Sequence, residues 1–257
     1  MPGPKDLLET VHDSAARGEH ISVVRVLKTG SENTTVTVSR GEFLPPLADQ
    51  RLADQISIAV RNLAARGGVA DLVDVLDEQG SPVTLAIEII KPKLDLLIFG
   101  AGHVGQAVAL IGALLGYDVT VVDDREEFAS RRRLPDPRIS LLVSEYATAA
   151  GKLTISSGTL IVIVTRGHQH DEACLKSVVQ SNAAYIGMIG SRKRVLSVFK
   201  KLVGEGVSER DLQKVHAPIG LRIGARTPQE IAVSILAEII DHVNNPKDDR
   251  EGVRNGI

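Results

Sequence analysis

The hydrophobic positions of this chain follow one pattern over its first 92 residues and another over the rest. In the first part, short stretches rich in β-branched residues predict strands, and one longer stretch has helical periodicity. The predicted elements are a helix over 5–17, strands over Ile21–Lys28 and Thr34–Ser39 joined by a turn over 30–33, a helix over Leu47–Arg66, and strands over Val69–Leu76 and Val83–Ile90. The segment 91–93, Lys-Pro-Lys, then interrupts the pattern. We therefore predict a small α+β N-terminal domain over residues 1–92.

From residue 93, apolar runs of Val, Ile and Leu alternate with helical stretches. The runs predict strands over Leu94–Phe99, Val119–Asp123, Ile139–Val143, Leu160–Thr165 and Ala184–Met188, and helices fall near His103–Leu115, Asp171–Ser181, Arg192–Val203 and Arg222–Ile240. Such alternation is typical of a parallel sheet that is covered on both faces. The predicted fold class is α/β: a Rossmann-like doubly wound parallel sheet over residues 93–244, its fourth strand beside its first, and a polar C-terminal tail over 245–257.

A glycine-rich segment, Gly-Ala-Gly-His-Val-Gly, joins the first predicted strand of this sheet to its first helix. The pattern GxGxxG is weak evidence alone, but here an acidic strand end follows about 20 residues later, as in dinucleotide-binding domains. We expect Gly100 to form the tight turn, Gly102 to let a pyrophosphate approach the backbone, and Gly105 to let helix and strand pack closely. A ligand-free glycine turn is the alternative interpretation.

Further ligand contacts are predicted on either side of this loop. His103 and Val104 begin the helix, whose N-terminal amides attract anions. Asp123 and Asp124 end the second strand, where a carboxylate can accept hydrogen bonds from a ribose diol. A carboxylate there favours NAD, because it repels the 2′-phosphate of NADP. The neighbouring Arg125 could bind that phosphate, so NADP stays an alternative.

The loop after the fourth strand reads Thr-Arg-Gly-His-Gln-His-Asp over residues 165–171, and we expect it to face the glycine loop. Thr165 and Arg166 are predicted to contact the ligand. His168, His170 and Asp171 are candidates for acid–base chemistry, and the two histidines for metal binding. The alternative is a polar loop in which Asp171 caps the helix after it. No catalytic residue is assigned.

A second strand-to-helix junction contains Gly190, Ser191 and Arg192. Small residues followed by cations predict an anion-binding site, and the alternative is a capped helix with a solvated basic face. Further along, Arg226 precedes the last helix and can bind a ligand anion, Glu230 or solvent.

Composition narrows the classes of function. Thirty Lys and Arg residues against 32 Asp and Glu give a net charge of −2, so nothing indicates nucleic acid as a partner. Cys174 is the single cysteine, which fits a reducing compartment, and we expect it to be a small buried residue. No apolar run reaches the roughly 18 residues of a membrane span. We expect a cytoplasmic protein without a membrane partner.

Several segments are similar to one known family. GAGHVGQAVA, VTVVDDREEFA, TRGHQHDE, YIGMIGSRKR and PIGLRIGARTPQEIAVSILAEII closely resemble the XdhC/CoxI family over about residues 85–243. These proteins are accessory factors of xanthine dehydrogenase and related molybdenum hydroxylases. The resemblance implies a Rossmann domain after a smaller N-terminal domain, often in homodimers. It also implies that the chain holds molybdenum cofactor, a pterin with a phosphate tail, and passes it to an apo hydroxylase, with a cysteine desulfurase as a possible further partner.

One departure from the family concerns cysteine. The N-terminal domains of this family usually carry a glycine-rich segment with a cysteine, whereas this chain has Arg-Gly-Glu-Phe-Leu-Pro-Pro over residues 40–46 and no cysteine before Cys174. If that cysteine helps to hold or sulfurate the cofactor, this chain cannot do so in the same way. Two alternatives to an accessory protein stand beside this resemblance: an NAD(P)-dependent oxidoreductase, with His168 or His170 as acid or base, and an NAD(P)-binding regulatory protein.

Overall fold

The computed structural model describes residues 21–28, 34–39, 42–90 and 94–245, except for the side chains of Lys28, Ser39 and His168. The chain divides into two compact units, Met1–Pro92 and Lys93–Ile257. Each unit has its own apolar core. The helix predicted over 5–17, the turn over 30–33, the segment 91–93 and nearly all of the predicted tail lie outside the described residues.

The first unit is an antiparallel sheet of five strands with a helix against it. Its elements are β1 (Ile21–Lys28), β2 (Thr34–Ser39), β3 (Glu42–Leu44), α1 (Gln50–Ala65), β4 (Ala70–Leu76) and β5 (Pro82–Ile90), and the strand order is β3-β2-β1-β5-β4. Val24 opposes Val36 on one side and Ile87 on the other, which places these side chains on one face of the sheet. α1 buries Leu52, Ile56 and Leu63 in the same core, so the predicted α+β arrangement is confirmed. β3 was not predicted, because three residues carry no recognisable alternation.

The second unit is a parallel sheet with helices on both faces. Its elements are β6 (Asp95–Phe99), α2 (His103–Leu114), β7 (Asp118–Asp123), β8 (Ile139–Val143), α3 (Tyr146–Ala149), a 3₁₀ turn (Ala150–Lys152), β9 (Thr159–Ile163), α4 (His168–Val178), β10 (Tyr185–Met188), α5 (Arg192–Gly204), α6 (Glu209–Gln213) and α7 (Pro228–Asn244). The strand order is β10-β9-β6-β7-β8, and every pairing is parallel. β9 therefore lies beside β6, as predicted, and the doubly wound fold is confirmed.

Alternation along β6 explains why helices cover both faces. Leu96 and Ile98 belong to the core shared with α2 and α7, whereas Leu97 and Phe99 belong to the core shared with α4 and α5. At most 4% of each of these side chains is exposed. A strand that is apolar at every position needs a layer on each side, because successive side chains point in opposite directions.

Two helix starts differ from the prediction. α4 begins at His168 rather than Asp171, because the extended Gly167 serves as its N-cap. α7 begins at Pro228 rather than Arg222, because Gly220 and Gly224 have φ of 101° and 77° in the preceding loop. The predicted capping box at Thr227 and Glu230 is present. The short helices α3 and α6 were not predicted, since about one turn shows no helical period.

The connections place one crevice at the carboxyl edge of the sheet. The crossover reverses between β6 and β9, which is where doubly wound folds bind ligands. The loops that follow β6, β7 and β9 all begin at this edge.

Candidate functional site

The loop between β6 and α2 has the geometry that its glycines predict. Gly100 has a φ of 112°, and a Cβ there would lie 2.5 Å from the carbonyl oxygen of Val164. A Cβ on Gly105 would lie 1.8 Å from the carbonyl oxygen of Gly100. Neither position accepts a side chain, so the expected roles of Gly100 in the turn and of Gly105 in close packing are confirmed.

Gly102 has a different environment, because a Cβ there would have no atom within 4 Å. It is the N-cap of α2 and makes no side-chain capping hydrogen bond. The space beside Gly102 is therefore open, and it lies at the positive end of a 12-residue helix whose first turn contains His103 and Val104. This arrangement suits a phosphate or another oxyanion.

Asp123 is a fully buried carboxylate at the end of β7. It accepts hydrogen bonds from the amide of Ala101 (2.7 Å), the amide of Arg125 (3.1 Å) and the guanidinium of Arg125 (2.8 and 3.0 Å). Burial acts to raise the pKa of Asp123, but the guanidinium of Arg125 and the two amides outweigh burial and lower it. The carboxylate thus links β7 to the glycine loop. Its predicted contact with a ribose stays a prediction.

Arg125 is held in place from two sides. Besides its bonds to Asp123, its guanidinium lies 3.4 Å from the ring centroid of Phe128, in a cation–π contact. The hydrogen bonds and charge of Asp123 raise the pKa of Arg125. In this structure Arg125 therefore braces the end of β7.

An ion pair joins the two loops that flank the glycine loop. Arg166, after β9, donates to Asp124 Oδ2, after β7, at 2.8 Å. Arg166 Nε also donates to His170 Nε2 at 3.2 Å. The ring of His170 in turn meets Tyr146 edge-on, with 5.4 Å between centroids. The structure thus brings Asp124, Arg166 and His170 together, and their predicted roles towards a ligand stay predictions.

Asp171 does not cap a helix, which corrects one of the two interpretations of this loop. It lies inside the first turn of α4 and is fully buried. One oxygen accepts a hydrogen bond from the hydroxyl of Thr165 (2.5 Å), and the other pairs with Arg194. The reason is that α4 begins three residues earlier than predicted, which turns Asp171 inward. The pair joins α4 to the start of α5.

The junction after β10 is a capped helix. The hydroxyl of Ser191 accepts a hydrogen bond from the amide of Arg194 at 3.2 Å. Ser191, Arg192 and Lys193 are exposed, whereas Arg194 turns inward to Asp171. Anion binding at Gly190–Arg192 stays a prediction.

Cys174 and Arg226 both contribute to the packing or capping of helices in this structure. Cys174 on α4 is fully buried, as expected, and burial raises the pKa of its thiol, so it is protonated at neutral pH. The backbone amide of Arg226 donates to Glu230 at 2.7 Å, as part of the start of α7.

Sequence reasoning missed two groups in this unit. The first is Tyr146, which follows β8 and of which 3% is exposed. A tyrosine just after the third strand of the sheet was the available signal. The second is Glu238 on α7, whose carboxylate accepts hydrogen bonds from Tyr185 (3.0 Å) and Gly220 (2.9 Å) and contacts His216 (2.9 Å). No local pattern joins residues so far apart in sequence.

The described part of the chain offers neither a metal cluster nor a membrane-spanning helix. Within it, no three His, Cys, Asp or Glu side chains are arranged to hold a metal ion, and the side chain of His168 is outside that set. None of the described helices has the length and apolar character needed to cross a bilayer.

The sheet order and the glycine loop that leads into α2 define a Rossmann-type domain. The chain belongs to the XdhC family, because the family model described as the XdhC Rossmann domain matches residues 96–239. The resemblance seen in the sequence motifs is thereby confirmed.

Three curated relatives are similar to parts of this chain. YqeB of Escherichia coli K12 is 34% identical over 181 residues, which are 70% of this chain and 32% of that protein. A protein of Bacillus subtilis 168, named as a probable subunit of xanthine dehydrogenase, is 31% identical over 154 residues, 60% of this chain and 44% of the relative. The molybdenum cofactor insertion chaperone PaoD of E. coli K12 is 23% identical over 149 residues, 58% of this chain and 40% of the chaperone. The matches thus span less than half the length of each relative.

A solved structure shows the same fold. It is described as a xanthine dehydrogenase from Bacillus halodurans. The two chains superpose with a TM-score of 0.65 at 22% sequence identity, and the match covers 93% of this chain and 67% of the chain in that structure. At this identity the likeness concerns the fold.

Proposed function

We propose that this chain is an accessory protein in the maturation of molybdenum hydroxylases of the xanthine dehydrogenase type. In this proposal it binds molybdenum cofactor at the carboxyl edge of the parallel sheet and passes it to an apo hydroxylase. Family membership and the relative named as a molybdenum cofactor insertion chaperone support this role over an NAD(P)-dependent oxidoreductase.

The observation that carries the proposal is the open N-terminus of α2 beside the glycine loop. Molybdenum cofactor has a phosphate tail, and the uncapped amides at Gly102–Val104 fit such a group. Arg166 is 44% exposed and lies on the loop across the crevice, so it can turn towards the phosphate. When bound, the cofactor supplies the redox chemistry of the client enzyme, and this chain contributes binding and orientation.

The position of Cys174 restricts what the chain does to the cofactor. It is the single cysteine of the sequence and is fully buried, with a raised pKa. We infer that the chain holds the cofactor without supplying a thiol, so sulfur would come from a separate cysteine desulfurase. A cytoplasmic location and a homodimer complete the proposal, and size-exclusion chromatography with light scattering tests the dimer.

The test is cofactor retention in a host that makes molybdenum cofactor. The purified full chain is analysed for molybdenum by mass spectrometry and for pterin by the fluorescence of its oxidised form. Gly102→Asp places a carboxylate at the amides without a clash, and we expect at least about a ten-fold loss of retained cofactor. Gly151→Asp is the matched control, since a Cβ there also meets no atom within 4 Å and Gly151 lies in the 3₁₀ turn before β9 rather than in the glycine loop.

The proposal is overturned if the wild-type chain retains neither molybdenum nor pterin, or if both variants retain them equally. Oxidation of NADH by the purified chain, followed over a substrate panel, would instead support the oxidoreductase.

A further inference from the structure

The loop of residues 220–226, Gly-Leu-Arg-Ile-Gly-Ala-Arg, leads into α7, and the proposed cofactor site uses none of its side chains. Leu221 and Ile223 are 41% and 53% exposed, although both are large and apolar. Arg222 and Arg226 are exposed as well, and within the described residues neither guanidinium takes part in an ion pair. The loop thus presents two apolar side chains and two free cations to solvent.

The base of this loop is fastened to α7. The amide of Gly220 donates to Glu238 Oε2 at 2.9 Å, and Ser234 Oγ donates to the carbonyl oxygen of Leu221 at 2.6 Å. The amide of Leu221 donates to the carbonyl oxygen of Ser234 at 3.2 Å. Gly220 has a φ of 101°, and a Cβ there would lie 2.5 Å from Ser234 Oγ. Because the backbone is already held at this end, a partner that binds the exposed side chains would have little loop entropy to overcome.

The 220–226 loop lies at the same edge of the sheet as the glycine loop. Just before it, the amide of Ile219 donates to the carbonyl oxygen of Met188, the last residue of β10, at 3.0 Å. α7 then runs back towards the start of β10, where His242 Nε2 lies 3.0 Å from the carbonyl oxygen of Ala184. α2 and α7 share one apolar core, and both begin at the carboxyl edge. A protein that receives a ligand from the glycine loop therefore has to approach the edge at which this loop lies.

The side chains of the loop fit a protein partner better than a small anion. An anion could pair with Arg222 and Arg226, but it would leave Leu221 and Ile223 in water, whereas a protein surface can cover them. Arginines are enriched in protein interfaces, and cations at the border of an interface select a partner with carboxylates. A second copy of this chain, packed loop to loop about a two-fold axis, would bring the cations of the two loops together. The charges therefore favour an acidic partner over self-association.

We propose that residues 221–226 form a docking surface for the apo hydroxylase, and that they meet an apolar patch bordered by Asp and Glu side chains. Leu221 and Ile223 bury apolar area in this contact, while Arg222 and Arg226 pair with the carboxylates. The inference rests on the proposed function and names the surface at which the partner binds. Docking at this edge brings the client beside the cofactor on the glycine loop.

The test measures binding of the full chain to immobilised apo xanthine dehydrogenase of bacterial origin, produced in a host that makes no molybdenum cofactor. We expect Ile223→Ser and Arg222→Glu each to bind at least about ten-fold more weakly than the wild-type chain. Leu114→Ser is the matched control for the first variant, because Leu114 is 76% exposed at the end of α2, on the opposite edge of the sheet. Lys200→Glu is the control for the second, since it changes the net charge equally at an exposed position within α5. Both controls should bind like the wild-type chain.

Salt dependence and cofactor retention separate docking from ligand binding. Raising NaCl from about 50 to about 300 mM should weaken wild-type binding at least about five-fold, and Arg222→Glu should respond less because part of the attraction is already lost. Ile223→Ser and Arg222→Glu should retain as much molybdenum and pterin as the wild-type chain. Their Tm should stay within about 2 °C of the wild-type value, since both positions are exposed.

The inference is overturned if the wild-type chain does not bind the apo enzyme, or if the two loop variants bind it as tightly as their controls. It is also overturned if Arg222→Glu loses the cofactor, because the loop would then belong to the cofactor site. Retention of molybdenum cofactor by the wild-type chain would leave the proposed function standing in each of these cases.

Discussion

Gly100, Gly102 and Gly105 meet three different environments within one loop. A Cβ on Gly100 would meet the backbone of Val164, and a Cβ on Gly105 would meet the backbone of Gly100. A Cβ on Gly102 would have no atom within 4 Å. The sequence motif is therefore a combination of two packing requirements and one opening for a ligand.

Exchanging these glycines for alanine should separate folding from binding. We expect Gly105→Ala to lower the free energy of unfolding by at least about 1–3 kcal/mol, because its Cβ would overlap the carbonyl oxygen of Gly100. Gly102→Ala should change it by less than about 1 kcal/mol, since its φ of −69° suits any residue. Urea unfolding followed by circular dichroism measures both, and equal stability of the two variants would contradict the geometry.

The pair of Asp171 and Arg194 offers a second residue-level prediction. Asp171 is fully buried, and 21% of the Arg194 side chain is exposed, so removing the cation leaves a buried carboxylate without its partner. We expect Arg194→Met to cost about 3–5 kcal/mol of unfolding free energy. Lys193→Met, one residue earlier and exposed, is the control and should stay within about 0.5 kcal/mol. A small loss in Arg194→Met, measured by urea unfolding, would show that Asp171 does not depend on this pair.

At the scale of elements, hydrogen bonds between buried polar groups far apart in sequence connect α7 to β10 and to the loop before α7. The carboxylate of Glu238 on α7 accepts hydrogen bonds from Tyr185 on β10 and from the amide of Gly220 in the loop between α6 and α7, and it contacts His216. This cluster ties the last helix to the edge strand of the sheet.

The pH dependence of stability should reflect Glu238. Burial acts to raise the pKa of Glu238, but the hydrogen bonds from His216 and Tyr185 outweigh burial and lower the pKa below its usual 4.5. A carboxylate whose pKa is lower in the folded than in the unfolded chain stabilises the fold fully above the unfolded value. That stabilisation is lost as the pH falls through the folded value.

We therefore expect Glu238→Gln to be less stable than the wild-type chain at pH 7, by about 1–3 kcal/mol. The difference should shrink as the pH is lowered from about 5 towards 3, since the wild-type carboxyl then becomes protonated too. Urea midpoints across this range give the two profiles. Glu126→Gln, at an exposed position, should follow the wild-type curve, and a constant difference for Glu238→Gln would contradict the assignment.

At the scale of elements, the sequence predicted strands better than short helices. β1, β2 and β8 have the predicted bounds, because runs of alternating or continuous apolar residues mark them. The one-turn helices α3 and α6 lack such a period. The start of α4 was misplaced because an extended glycine, rather than Asp171, is its N-cap.

The whole molecule consists of two units whose apolar cores are separate. The first core is formed by residues of β1, β2, β5 and α1, and the other two cores lie on the two faces of the parallel sheet. Among the described residues, each core cluster is formed by residues of one unit, as in independent domains.

We expect residues 93–257 to fold without the first unit. A truncated chain that begins at Lys93 should unfold cooperatively in urea and retain as much molybdenum cofactor as the full chain, because the glycine loop and Arg166 both lie in this part. An aggregated or non-cooperative product would show that the first unit is required for folding. Weaker binding by a folded product would show that it contributes to the site.

The sequence alone determined the class of fold, the order of most elements and the family, because these depend on local periodicity and on motifs of contiguous residues. It also located the glycine loop and the two acidic residues that follow it at the end of β7. Only the tertiary structure decided that Asp123 binds the loop and Arg125, that Asp124 meets Arg166, and that Tyr146 and Glu238 are buried at their positions. The physical reason is that a hydrogen bond or an ion pair depends on distance and direction in space, which residues 42 positions apart acquire only when the sheet has formed.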